Sequence, residues 1–195
     1  ALTILQRRLA SSPEAIYRSL ERRLGRLEDM LCEARMTHRG LSALGNLPEM
    51  DQEQIDEVYD NLGDNEIEEL EEEVVDQATA ARTVEELDKE ISRLRELLAL
   101  AKEVRLAGED FKWRELRPLL DDNPHMKDAN GNRRKLIIFT EHRDTLNYLH
   151  DRISGLVGRS DSIERIHGGV KREERKKAIE RFTNYADSTI LLATD

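Results

Sequence analysis

A single cysteine, Cys32, excludes an intrachain disulfide. It sits in a helical pattern with no activating base beside it, so it reads as a small buried apolar residue rather than a nucleophile. Aromatic residues make up only 4% of the chain while charged residues make up 37%, a balance that suits long solvated helices and disfavours an all-β domain. No apolar run approaches the roughly 18 residues that a membrane-spanning helix needs. No secretory leader pattern is present either, so no membrane partner is expected and a cytoplasmic location is. The phosphate loop Gly-x4-Gly-Lys-Ser/Thr is also missing, which removes the usual cradle for a nucleotide. The chain starts at Ala1 and stops at Asp195 inside an apolar motif, as expected of a piece of something larger.

What is abundant is acid, and it is concentrated. Residues 49–90 hold 2 basic and 18 acidic side chains, net −16, whereas residues 1–48 hold 8 and 5, net +3. Residues 134–195 hold 12 basic and 10 acidic, net +2. A block as acidic as 49–90 repels a phosphate backbone. It reads as a solvated helix face or, alternatively, as a docking surface for a basic protein partner.

Helical periodicity dominates the first half. Ser12-Pro13-Glu14 is a helix start, with a hydroxyl cap, proline at the first helical position and an acid in the first turn. Ile16, Leu20, Leu24, Leu27, Leu31 and Ala34 follow on one face, and Gly40, Gly45 and Pro48 end the pattern. Over 49–76, Ile55, Val58, Leu62, Ile67, Leu70 and Val74 make an interrupted amphipathic face with a break near Gly63. Thr83-Val-Glu-Glu86 is a capping box, and Val84, Leu87, Ile91, Leu94, Leu98 and Ala101 then repeat at heptad spacing. Packing these two seams together gives a helical hairpin or small bundle over 1–108, in which each large aliphatic side chain buried contributes roughly 1.5–3 kcal/mol; a dimeric coiled coil is the competing use. Arg18, Arg22, Arg23 and Arg26 lie along the first helix, as a solvated face or a phosphate track. Asp110 caps a short helix over Phe111–Leu120, bent or shortened by Pro118, whose Trp113 docks on the α/β part. The domain reading is therefore a helical part over 1–120, a linker over 121–134 and an α/β part over 135–195.

In that last part, Leu136–Thr140, Ile163–Ile166 and Thr189–Ala193 are short apolar strands separated by helices over 143–157 and 171–182. The order β-α-β-α-β predicts a parallel sheet. The residues that invite chemistry stand at the carboxyl ends of these strands, where open α/β sheets meet ligands. They are Thr140, Glu141 and His142 after the first, His167, Gly168 and Gly169 after the second, and Thr194 and Asp195 after the third. Paired glycines let backbone N–H groups approach a phosphate, and the next helix, beginning near Lys171, aims its N-terminus at the same place. These parts suit sequence-independent contacts to a nucleic-acid backbone.

The ordered set carries a resemblance. Lys135-Leu-Ile-Ile-Phe-Thr-Glu-His142 resembles the motif that opens the second RecA-like lobe of superfamily-two helicases. Ile166-His-Gly-Gly-Val-Lys-Arg-Glu-Glu-Arg175, with Ile179, Arg181 and Phe182 downstream, is similar to that family's next motif and helix. Ile190-Leu-Leu-Ala-Thr-Asp195 resembles the start of the motif coupling nucleic-acid to nucleotide binding. Leu2-Thr-Ile-Leu-Gln-Arg-Arg-Leu-Ala-Ser-Ser-Pro-Glu-Ala-Ile16 is similar to the segment joining the two lobes in bacterial Swi/Snf-related helicases, where a long helical insertion separates them.

The fold implied is all-α plus α/β: a helical hairpin or bundle, then a partial, three-stranded parallel RecA-like lobe. The function implied is part of an ATP-dependent translocase on double-stranded DNA. Thr140, His142, His167, Gly168, Gly169 and Thr194 would lie near the DNA backbone, with Ala193 and Asp195 in the coupling motif. ATP and Mg²⁺ would serve the parent protein together with its N-terminal RecA-like lobe. The fragment itself is expected to hold neither, to have no catalytic residue or metal ligand set, and to be inactive alone, since the arginine finger of this lobe would lie beyond Asp195. Asp56-Glu57-Val58-Tyr59 lacks the buried strand that precedes an acidic Mg²⁺ box and reads as a chance match. Two alternatives remain: an RNA-helicase motor, and a non-enzymatic helical interaction module.

Overall fold

Ser12 sets the first bend of the chain. Its hydroxyl accepts the Ala15 N–H at 3.1 Å and its carbonyl the Ile16 N–H, so one residue closes helix α1 (Leu2–Ser11) and opens helix α2 (Pro13–Thr37). The structure, a computed structural model, describes residues 2–37, 64–77, 79–108, 110–121, 123–158 and 162–194. The expected stop near Gly40, Gly45 and Pro48 therefore lies outside the described residues. So do Asp56–Tyr59, the Ile55, Val58 and Leu62 positions, the break at Gly63, and Asp195.

Two compact units divide the chain, Ala1–Gly108 and Glu109–Asp195. In the first, α2 packs along helix α4 (Val84–Ala107), with α1 and helix α3 (Asp64–Gln77) also against α2. Leu27, Leu31 and Ala34 of α2 meet Leu87 and Ile91 of α4 in one buried cluster, flanked by Leu24, Met30 and Val84. The two seams thus satisfy each other within one chain, as the hairpin reading expects. The Thr83 box is present with both of its bonds, Glu86 N–H to Thr83 Oγ1 and Thr83 N–H to Glu86 Oε2, each 3.2 Å. Beside the seam run cross-helix ion pairs, Arg23–Glu90 at 2.7 Å, Arg95–Glu28 at 2.6 Å and Arg35–Asp88 at 3.1 Å. Arg18 bonds Glu14 and Glu21 of its own helix. Arg18 and Arg23 are thus engaged by carboxylates of the unit. Cys32 departs from expectation: it is exposed, because it lies off the Leu27–Leu31–Ala34 stripe.

The second unit begins with helix α5 (Phe111–Leu120), capped by Asp110, whose carboxylate accepts the Trp113 N–H at 3.2 Å and the Tyr148 hydroxyl at 2.9 Å. Strand β1 (Leu136–Thr140), helix α6 (Arg143–Val157), strand β2 (Ile163–Ile166), helix α7 (Arg172–Asn184) and strand β3 (Ile190–Thr194) follow. The sheet is parallel, in the order β1-β3-β2, with the last strand between the other two. One face carries Leu136, Ile138, Ile163, Ile190 and Leu192, and buries them against Leu146 and Ile153 of α6 and Leu120 of α5. Trp113 and Leu116 pack on the same cluster. This moves the boundary: α5, expected with the helical part up to residue 120, packs with the sheet because its apolar side chains face that core. On the opposite face Glu164, buried, accepts both ends of the Arg181 guanidinium, at 2.8 and 2.7 Å, and fixes α7 to β2. On that face Ile137 and Phe139 of β1 remain 47% and 65% exposed. Among the described residues no helix is long and apolar enough to cross a membrane.

Candidate nucleic-acid interface

Parallel strands bring their carboxyl ends to one rim, and that places several of the expected residues together. Thr140 and Thr194 are register partners across β1 and β3, both half-buried, one rung above Phe139 and Ala193. Ala193 is buried on the other face, with Phe139 and Ile166 as its register neighbours. His142 opens α6, where its carbonyl accepts the Leu146 N–H at 3.0 Å. Its ring is 1% exposed, with Nε2 3.7 Å from the Glu141 carboxylate. A direct phosphate contact through this imidazole would need the ring to leave the interior.

The His167-Gly168-Gly169 segment is a tight turn, closed by Val170 N–H to the His167 carbonyl at 2.9 Å. Within it, the Gly169 N–H donates to His167 Nδ1 at 3.2 Å, which leaves the proton of the neutral ring on Nε2. Gly169 leaves room for this close approach. A Cβ there would stand 3.2 Å from His167 Cε1 and 3.3 Å from Nδ1, with an Arg143 guanidinium nitrogen at 3.7 Å. Helix α7 starts at Arg172, next to the expected position, and its cap residue Lys171 makes no side-chain capping bond.

Sequence reasoning passed over Arg143, Arg165 and Arg175. Burial lowers the His167 pKa from its ordinary value, and the positive charges of Arg143, Arg165 and Arg175 lower it further. These arginines come from the start of α6, from β2 and from the first turns of α7, so no single motif contains them. The signal available was Arg165 itself, a charge inside the short strand that runs into the His-Gly-Gly turn. The rim thus gathers two threonine hydroxyls, the His167-Gly168-Gly169 turn and several guanidiniums, a set able to meet oxyanions. Among the described residues no three His, Cys, Asp or Glu side chains converge as metal ligands would.

No curated protein and no solved structure matches the chain. A family match covers the part that carries the sheet, and it begins inside α5, the helix whose apolar face joins the sheet core. Residues 112–195 match the family model described as the helicase conserved C-terminal domain, which supports reading this chain as a fragment of a superfamily-two helicase.

Proposed function

We propose that this chain is part of an ATP-dependent motor on double-stranded DNA, of the Swi/Snf-related kind. In it, residues 112–195 hold the nucleic-acid backbone and pass its presence to a nucleotide site. The observation that carries the reading is the gathering of Thr140, Thr194 and the His167-Gly168-Gly169 turn at one rim of a parallel sheet, inside the segment that matches a helicase domain. The sequence has no phosphate loop, which supports placing the nucleotide site outside this chain. In this reading ATP and Mg²⁺ belong to an N-terminal RecA-like lobe that is the chain's structural partner, in a cytoplasmic setting. Phosphoryl transfer rests on positioning by several parts at once, so this chain alone is not expected to hydrolyse ATP.

The test is ATP hydrolysis by the protein carrying both lobes, with duplex DNA, single-stranded DNA, RNA or no nucleic acid at fixed salt. Strong stimulation by duplex is expected, reduced about tenfold by His167→Ala or Thr194→Ala, the range for losing a contact worth about 1.4 kcal/mol in the transition state. Stimulation by RNA in preference to duplex would move the protein to the RNA-helicase branch, and an unchanged stimulated rate in both variants would remove the assigned roles. A second, compatible role rests on α3, where Glu66, Glu69 and Glu73 are exposed: docking of a basic protein partner. Loss of such a partner on charge reversal at Glu69 and Glu73 would support it.

A further inference from the structure

Beside the rim, β2 has a free edge. It is the outer strand of the order β1-β3-β2, so one side of its backbone has no strand neighbour among the described residues. A groove of about 560 Å³ runs there, lined by Arg143 and Asn147 of α6, Ile163, Glu164 and Arg165 of β2, His167 and Val170 of the turn, and Glu174, Lys177, Ala178 and Arg181 of α7. Side chains from both faces of β2 enter this lining, so the groove wraps the strand's edge between the two helices. Its charge is mostly positive: four cations, Arg143, Arg165, Lys177 and Arg181, against Glu164 and Glu174. Arg181 and Glu164 cancel each other in their two-bond pair. Arg165 and Lys177 make no ion pair with a carboxylate among the described residues. Both are exposed.

We propose that this groove is a second phosphate-binding track, in which Arg165 and Lys177 hold backbone phosphates of the duplex whose path begins at the strand-end rim. The inference rests on the nucleic-acid reading above and extends it to residues outside the three strand-end motifs. Duplex DNA is favoured over an acidic polypeptide by continuity: Arg143 lies beside Gly169 of the rim, and His167 lines both places. A regular array of phosphates can meet the rim and the groove's cations in one pass. The groove cations carry no sequence information, as fits contacts that position rather than specify.

The experiment is anisotropy of a labelled short DNA duplex with the full chain over a salt series, comparing the native chain, Arg165→Gln with Lys177→Gln, and a control pair, Lys89→Gln with Arg93→Gln, on the exposed surface of α4. All four positions are exposed, and circular dichroism checks that the variants remain folded. The groove pair is expected to bind about tenfold more weakly at low salt, with a log affinity against log salt slope shallower by about 1.8, at about 0.9 per phosphate. The control pair is expected to keep the native slope. Native binding with an unchanged slope in the groove pair overturns this inference and leaves the rim reading standing. Absence of salt-dependent binding by the native chain to duplex, single-stranded DNA and RNA alike overturns the nucleic-acid reading itself. Displacement of the duplex by poly-glutamate at lower charge concentration than by unlabelled duplex overturns the track in favour of a protein partner.

Discussion

His167 sits in a field of guanidiniums, and this fixes the sign of its pH response. Its folded pKa is lowered first by burial and then by Arg143, Arg165 and Arg175, from an ordinary value of 6.5. In the unfolded chain that field is gone. Below pH 6.5 the unfolded state takes up a proton that the folded state resists, so stability falls as pH drops through 6.5 and keeps falling until the folded value is passed. Proton NMR of the imidazole is expected to show titration below 6.5, moved upward by Arg165→Gln; titration at or above 6.5 would contradict the placement of these arginines. At this scale the sequence was partly readable. His-Gly-Gly announced a turn, because glycine pairs permit close backbone approach. It did not announce that the tight neighbour of Gly169 is the ring of His167 itself, since that depends on how the side chain folds back. Nor did it show that His142 is turned inward.

Among elements, the local signals were the most readable. The Thr83–Glu86 box and the Leu87–Ile91 seam are written within a few residues of each other, and their geometry comes from helix periodicity alone. Thr83→Ala is expected to lower stability by about 1 kcal/mol in urea unfolding. Leu87→Ala and Ile91→Ala, at the centre of the α2–α4 cluster, are expected to cost about 2–5 kcal/mol each. If Leu87→Ala cost no more than Thr83→Ala, the cluster would not be the core of the helical unit. The Glu164–Arg181 pair was not readable. A carboxylate inside a short strand of isoleucines looks like an error of pattern until α7 brings a guanidinium to it from the opposite face. The groove was illegible for the same reason: its cations come from two helices and a strand, joined only by the sheet order.

The whole molecule shows two units with different chemistry. In the helical one, Arg18 and Arg23 are engaged by carboxylates; in the other, Arg165 and Lys177 are left facing solvent. The sheet unit also presents Ile137 and Phe139, exposed at the β1 end of the face whose β2 end α7 covers, beside the outer edge of β1. An open edge with apolar neighbours is a template for pairing. Sedimentation of this chain is expected to show association that rises with concentration and is weakened by Phe139→Lys; a monomer at every concentration would show that the face is tolerated bare. The parallel sheet itself was foreseeable from alternating strands and helices. The place of each strand was not, because register across β3 is set by contacts far apart in sequence.

That place has a consequence in time. The central strand is the last of the three to be translated, so β1 and β2 leave the ribosome before the strand that pairs with both. At about 5–20 residues per second, roughly 3–10 s separate the appearance of Thr140 from that of Ile190. The helices of the first unit have one another well before then. A pause in translation just ahead of Ile190 would hold the chain with its helical unit folded and two orphan strands in the crowd of the cell, the interval in which a chaperone would have most to do.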